Sequence, residues 1–182
     1  YLADQITVPR FSTELPEFAE AEKAVQARID HLMGIKGKKS VDSIHKELGH
    51  IMWEYVGMGR TEEGLKTALK LLKDIRKEFE TNLFIPGSTE GVNIELEKAL
   101  RLNDFITMGE LIAYDALNRN ESCGGHFREE YQTEEGEAKR DDENYFYVSC
   151  WEYQGSDDVA PVLYKEPLVY EAIKVQTRNY KS

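Results

Sequence analysis

The chain has 182 residues, 41% hydrophobic and 31% charged, with 23 basic and 34 acidic side chains for a net charge of -11. This length suits one domain, or one domain with an appendage, and the acidic surface argues against a nucleic-acid partner. No apolar run approaches the ~20 residues of a membrane span and none reads as a signal peptide. Two cysteines, Cys123 and Cys150, make no disulfide framework, so a reducing compartment is the simpler reading.

In chain order, Tyr1, Leu2, Ile6 and Val8 form an apolar pattern without an initiating Met, which reads as the tail of an element from a longer protein. Pro9 ends it. A first helix is predicted over Glu14 to Met33, capped by Ser12 or Thr13, with Pro16 in its first turn. Phe18, Val25, Ile29 and Leu32 share one face, Gly34 and Gly37 close it, and Lys36 to Lys39 read as a solvated loop. A second helix follows the cap Ser40, with Val41, Ile44, Leu48, Ile51, Met52, Tyr55 and Val56 spaced by threes and fours. Gly57 and Gly59 stop it. Thr61 caps a third helix, with Glu62 and Glu63 in its first turn and a stripe from Leu65 to Phe79.

Pro86-Gly87-Ser88 is a break before a fourth helix from Asn93 to Arg119. Its second half is apolar on more than one face, which predicts a central, well-buried position. Thr133 to Asp142 is a charged surface excursion, and Tyr145 to Trp151 reads as a strand. Gly155 to Asp158 makes a turn, and Pro161 to Tyr164 can pair back. The segment from Lys165 to Ser182 is expected to pack along the bundle or on a neighbour. The fold class is therefore mainly α: a three-helix up-down bundle of the spectrin-repeat kind, an extra N-terminal helix, and a C-terminal extension containing a short β-hairpin. The bundle is assigned to residues 11–130 and the extension to 131–182.

The chemistry concentrates between Asn118 and Glu130, where Arg119, Glu121, Cys123, His126, Arg128, Glu129 and Glu130 crowd around Gly124-Gly125. The glycines allow positive φ and close backbone approach. The loop either does chemistry, docks onto something, or braces the fold. Cys123-x-x-His126 has ligand-like spacing, but a structural zinc site needs four ligands. Cys150, His31, His45 and His50 supply no matching pair. His45 and His50 lie five apart and do not share a helix face. The Cys123 thiol could be activated by His126 and Arg128, against the opposing Glu121 and Glu129; a small, half-buried residue in a tight turn is the simpler reading. Gly57-Met58-Gly59 follows a helix rather than a strand, so it is no phosphate loop. Residues alone support a helical bundle with one unusually polar loop, not catalysis.

Several segments resemble a known family. His50 to Arg60, Glu63-Gly64-Leu65 with Ala68-Leu69, and Asn93 with Leu96 to Leu100 resemble the C-terminal helical domain of the succinate dehydrogenase/fumarate reductase flavoproteins. Arg119 to Glu129 is similar to that family's Arg-x-Glu-Ser-Arg-Gly-Ala-His-x-Arg-x-Asp pattern, Arg140-Asp141-Asp142 to its Arg-Asp-Asp tract, and Arg178-Asn179-Tyr180 to its closing Arg-x-Tyr. Cys123 stands where the family has Arg, Gly125 where it has Ala, and Glu129 or Glu130 where it has Asp. If the family's Arg contacts a neighbouring domain, this protein must do without that contact or supply another donor such as Arg128.

The resemblance implies that FAD and the substrate-contacting groups lie upstream, so no catalytic, cofactor-binding or metal residue maps here and the piece alone is inactive. Residues 1–10 would end the FAD-binding domain. The parent would interconvert succinate and fumarate at FAD, passing electrons to an iron-sulfur subunit and, through a membrane anchor, to a quinone. It would sit at the cytoplasmic side of the bacterial membrane. Arg119, Glu121, Cys123, His126, Arg128, Arg140, Asp141 and Asp142 become bracing or interface candidates toward the FAD-binding and capping domains or the iron-sulfur partner. L-aspartate oxidase is a related alternative, and a free-standing interaction module with a redox- or metal-sensitive Cys123 is one of a different class.

Overall fold

A computed structural model describes residues 12–156 and 159–176. The expectations for the opening fragment and for Arg178-Asn179-Tyr180 lie outside the described residues, as do Asp157 and Asp158 of the expected turn. The described residues form four long helices: α1 (Pro16–Gly34), α2 (Val41–Val56), α3 (Glu62–Asn82) and α4 (Ile94–Asn118). Local side chains start three of them. Ser40 Oγ accepts from the Ser43 amide at 3.2 Å, Thr61 Oγ1 from Gly64 at 3.0 Å and Asn93 Oδ1 from Leu96 at 3.0 Å. Each bond satisfies an amide with no partner inside its own helix.

The apolar stripes of α2, α3 and α4 meet in one core. Ile44, Leu65, Ala68, Leu72, Ala99, Leu102, Ile106 and Ala113 are fully or almost fully shielded from solvent. Each buried Leu or Ile contributes about 1.5–3 kcal/mol of transfer free energy. Two-residue strands β1 (Lys39–Ser40) and β2 (Leu83–Phe84) pair in parallel, Lys39 with Leu83 and Ser40 with Phe84. This joins the start of α2 to the end of α3, so those helices run antiparallel. The Lys98–Asp42 pair at 3.2 Å lies near the starts of α4 and α2, and Gly109 packs on Leu48 and Met52 further along. Hence α4 runs parallel to α2, which completes the up-down-up order.

Four expectations are corrected. α1 takes Leu15 as its N-cap residue without a side-chain bond, because Ser12 Oγ is already engaged by the Glu14 amide at 3.1 Å in a preceding turn. Its stripe is only partly used: Leu32 is buried, whereas Phe18 and Val25 are exposed because the front of the helix stands off the bundle. Lys39 is not solvated loop; it reaches Glu47 at 2.8 Å and Glu78 at 3.3 Å, and the Glu47 hydrogen bond, outweighing burial, raises its pKa. Finally, the second half of α4 is one-sided. Its small residues Gly109, Ala113 and Ala116 face the core, leaving Phe105, Met108, Leu111 and Ile112 exposed.

After the bundle comes a single turn of helix, α5 (Asp142–Tyr145), and an antiparallel hairpin of β3 (Tyr147–Glu152) and β4 (Val162–Pro167). The register runs from Tyr147–Pro167 to Glu152–Val162, so the second strand extends three residues beyond the expected Tyr164. A two-stranded ribbon needs an anchor. Here Trp151 Nε1 donates to Asp115 Oδ1 of α4 at 2.8 Å, and its ring meets Tyr114 edge-on at 5.0 Å.

Candidate functional site at the end of the bundle

The polar loop lies where α2 and α4 end and α3 begins, and three of its side chains or partners finish those helices. The last carbonyls of a helix have no acceptor role to play inside it. Arg128 Nη1 donates to the carbonyls of Ala116 at 3.0 Å and Leu117 at 3.4 Å, closing α4. Arg60 Nε donates to Val56 and Gly57, both at 3.1 Å, closing α2. Glu130 Oε1 accepts from the Glu62 amide at 2.5 Å at the start of α3, where a carboxylate suits the positive helix end.

These groups are tied to one another. Arg128, fully buried, reaches Glu130 at 3.1 Å and lies over the Tyr131 ring at 5.4 Å. Its Nη2 has no hydrogen-bond partner among the described residues. Burial alone would raise the Glu130 pKa, but the Glu62 amide and the Arg128 guanidinium bring it below the usual carboxylate range. Main-chain bonds from Arg60 to Phe127 and from Glu129 back to Arg60, at 3.0 and 2.8 Å, zip the loop onto the α2–α3 connection. Arg60 Nη1 lies 2.9 Å from His126 Nδ1. Because a guanidinium only donates, Nδ1 must be the acceptor; Nε2 then carries the proton and donates to the Arg119 carbonyl at 3.0 Å. Burial lowers the His126 pKa, and the charges of Arg60, Arg128 and Arg119 add to that against the favourable carbonyl.

A second set holds the extension. Glu121, almost wholly buried, accepts from Arg119 Nη2 at 2.8 Å and from the Asp141 amide at 3.1 Å. Arg119 also donates to the carbonyls of Tyr145 at 2.6 Å and Tyr147 at 3.3 Å and lies over both rings. Ser122 Oγ bridges the Arg128 amide and carbonyl. Asp141 caps α5 through the Asn144 amide, and Asp142 accepts from Arg140 at 2.6 Å. Cys123 and His126 exchange two main-chain bonds around Gly124, whose φ of 59° is the left-handed conformation glycine permits. Here too there is a correction: the Cys123 thiol is exposed, not half-buried, because this tight hairpin turns it outward.

The eight expected residues therefore fall in one connected region. Sequence reasoning missed Arg60, Glu130 as the partner of Glu62, and Asp115 with Trp151. A basic residue just past a helix end was the available signal for Arg60. Among the described residues no three His, Cys, Asp or Glu side chains are grouped to hold a metal. Nor do these residues fit FAD. Among the described residues none forms a strand, glycine-rich turn and helix to cradle a diphosphate, and four hollows on their surface are open grooves of about 430–520 Å³. Among the described residues no helix is long and apolar enough to cross a membrane.

The architecture is that of a mainly α-helical bundle domain with a C-terminal β-hairpin, tied at one end by a polar clasp. Residues 45–180 match the family described as fumarate reductase flavoprotein C-term, and the chain belongs to that family. It is 31% identical over 112 residues to an uncharacterized FAD-dependent oxidoreductase of Methanocaldococcus jannaschii, covering 62% of this chain and 20% of that protein. It is 29% identical over 148 residues to the fumarate reductase flavoprotein subunit of Proteus vulgaris, covering 79% and 24%. L-aspartate oxidase 2-b of Nicotiana tabacum is 37% identical over 88 residues, covering 48% and 13%. A quinol fumarate reductase of E. coli superposes with a TM-score of 0.70 at 22% identity, covering 94% of this chain and 28% of that one, which shows the shared fold. The chain thus spans a quarter or less of the length of these curated relatives.

Proposed function

We propose that this chain is the C-terminal bracing and subunit-docking domain of the flavoprotein subunit of a succinate dehydrogenase or fumarate reductase. The observation that carries the reading is how the loop's polar groups are used. Arg60, Arg119, Glu121, His126 and Arg128 bond to helix ends, to strand carbonyls and to each other. Such a network stiffens a domain boundary and leaves no paired acid and base for proton transfer. In this reading FAD and the substrate-contacting residues belong to the upstream domains. The flavin carries the hydride chemistry, and the helical domain holds the assembly's shape. Electrons leave through an iron-sulfur subunit and then, through a membrane anchor, to a quinone, with the flavoprotein peripheral at the cytoplasmic face of the membrane. Cys123, Arg140 and Asp142 line an open groove at this end, which supports reading them as contacts toward neighbours, with Asp141 holding the turn beside them.

A second reading, the corresponding domain of an L-aspartate oxidase, is favoured by the 37% identity to the tobacco enzyme over 88 residues. One experiment addresses both. Flavin content and turnover of succinate, fumarate and L-aspartate are measured for this chain alone and for the full-length product of the gene co-expressed with its neighbours. Flavin and succinate–fumarate turnover only in the latter support the first reading. L-aspartate turnover selects the second, and flavin in neither sample overturns both.

A further inference from the structure

A groove of about 520 Å³ runs between α4 and β3. Its apolar wall is the part of α4 that the core does not use: Leu111 and Ile112 are 36% and 41% exposed, and Val148 of β3 is 48% exposed. Its polar end has two unmet requirements. Arg60 is half-buried, yet its guanidinium bonds only to two carbonyls and a neutral imidazole, with no carboxylate in ion-pair contact among the described residues. Asp115 acts on it only at a distance, and its Oδ1 is held by Trp151. Ser149 Oγ, on the opposite wall, is buried without a hydrogen-bond partner among the described residues. Buried cations are ordinarily paired, and buried hydroxyls are ordinarily bonded.

We propose that this groove is a docking site for a carboxylate-bearing, otherwise apolar segment of the upstream part of the same polypeptide. This rests on the reading above, in which the chain is one domain of a longer flavoprotein. The charge fits: Arg60 supplies a positive centre with no carboxylate in ion-pair contact among the described residues, on a chain of net charge -11, and Ser149 lines the same groove with an unmet hydroxyl. Leu111, Ile112 and Val148 then lose their water to the segment's apolar side chains. The source follows from tethering. The relatives extend far beyond the matched region, which is only 24% of the Proteus vulgaris subunit. A covalently attached segment is present at an effective concentration in the millimolar range that a free subunit must overcome.

Hydroxyl-radical footprinting of Leu111, Ile112 and Val148, which line the groove, tests the covering. It is done on this chain, on the full-length flavoprotein polypeptide alone, and on that polypeptide with its partner subunits. Oxidation at least fivefold slower in the polypeptide alone than in this chain is expected. Equal rates in all three samples overturn the proposal, and protection that appears only with added subunits overturns the assigned source. The carboxylate is identified by carbodiimide cross-linking of the Arg60→Lys full-length variant, whose new amine should couple to an upstream Asp or Glu. Coupling to Asp115 alone overturns the charge pairing, while wild-type footprints keep the covering test independent of how that variant folds. Groove protection in a full-length polypeptide without flavin would sink the flavoprotein reading and leave the docking site standing.

Discussion

Arg128 is fully buried where it closes α4, and its loss can be anticipated from what it leaves behind. In Arg128→Ala the carbonyls of Ala116 and Leu117 lose their donor in a buried setting. Glu130 is about two-fifths exposed, so its abandoned charge is largely rehydrated. A loss of about 2–3 kcal/mol is expected, chiefly from the unsatisfied carbonyls. The urea midpoint of this chain checks it, and in the full-length subunit assembly should fail before turnover does. His126 gives a pH dependence whose sign is fixed by its pKa. An unfolded histidine titrates near about 6.5. The folded one titrates lower, because burial and then three arginines oppose its charge. The stability it contributes is fully present above about pH 6.5 and lost as pH falls through that value toward the folded pKa. Urea midpoints between pH 7.5 and 5 should fall more for the wild type than for His126→Gln; identical slopes would assign the dependence elsewhere.

At the scale of elements, what was legible depended on how local the cause is. Ser40, Thr61 and Asn93 each bond an amide three residues on, so the sequence window that contains the cap contains its partner. Arg60 and His126 are 66 residues apart, and nothing near either announces the other. The α4 expectation failed for a different reason. Apolar residues on two faces fit a central helix and equally a helix with a docking face, and periodicity alone cannot separate them. Gly37 was read only as a helix terminator, but packing gives it a second duty. A Cβ there would lie 1.9 Å from the Asn82 carbonyl carbon, beside the Gly37–Leu83 main-chain bond. Backbone cannot yield as a flexible side chain does, so Gly37→Ala should separate β1 from β2 and cost about 2–3 kcal/mol. An unchanged thermal midpoint would show that the α2–α3 joint is looser than this contact implies.

Across the whole molecule, stability should be unevenly distributed. Leu65, Leu72, Ile106 and Ala113 pack at the three-helix centre with no exposure, and the clasp ties one end of that bundle. α1 is attached mainly by its C-terminal end: Leu32 is its one buried residue, Met33 packs beside it, and Arg28 reaches Asp104 at 3.5 Å through an exposed pair. Such a surface pair contributes about 0–1 kcal/mol. The front of α1, with Phe18 and Val25 in water, therefore rests on little more than helix propensity, which is marginal at this length. Native-state hydrogen exchange of this chain should show amides from Phe18 to Arg28 opening with free energies near zero to about 2 kcal/mol, while those of Leu65 to Phe79 approach the global value. In the full-length protein the same α1 amides should slow markedly if Phe18 and Val25 are covered there. Equal protection of α1 and α3 in this chain would mean that α1 is a full member of the bundle, held by contacts beyond its Leu32 end.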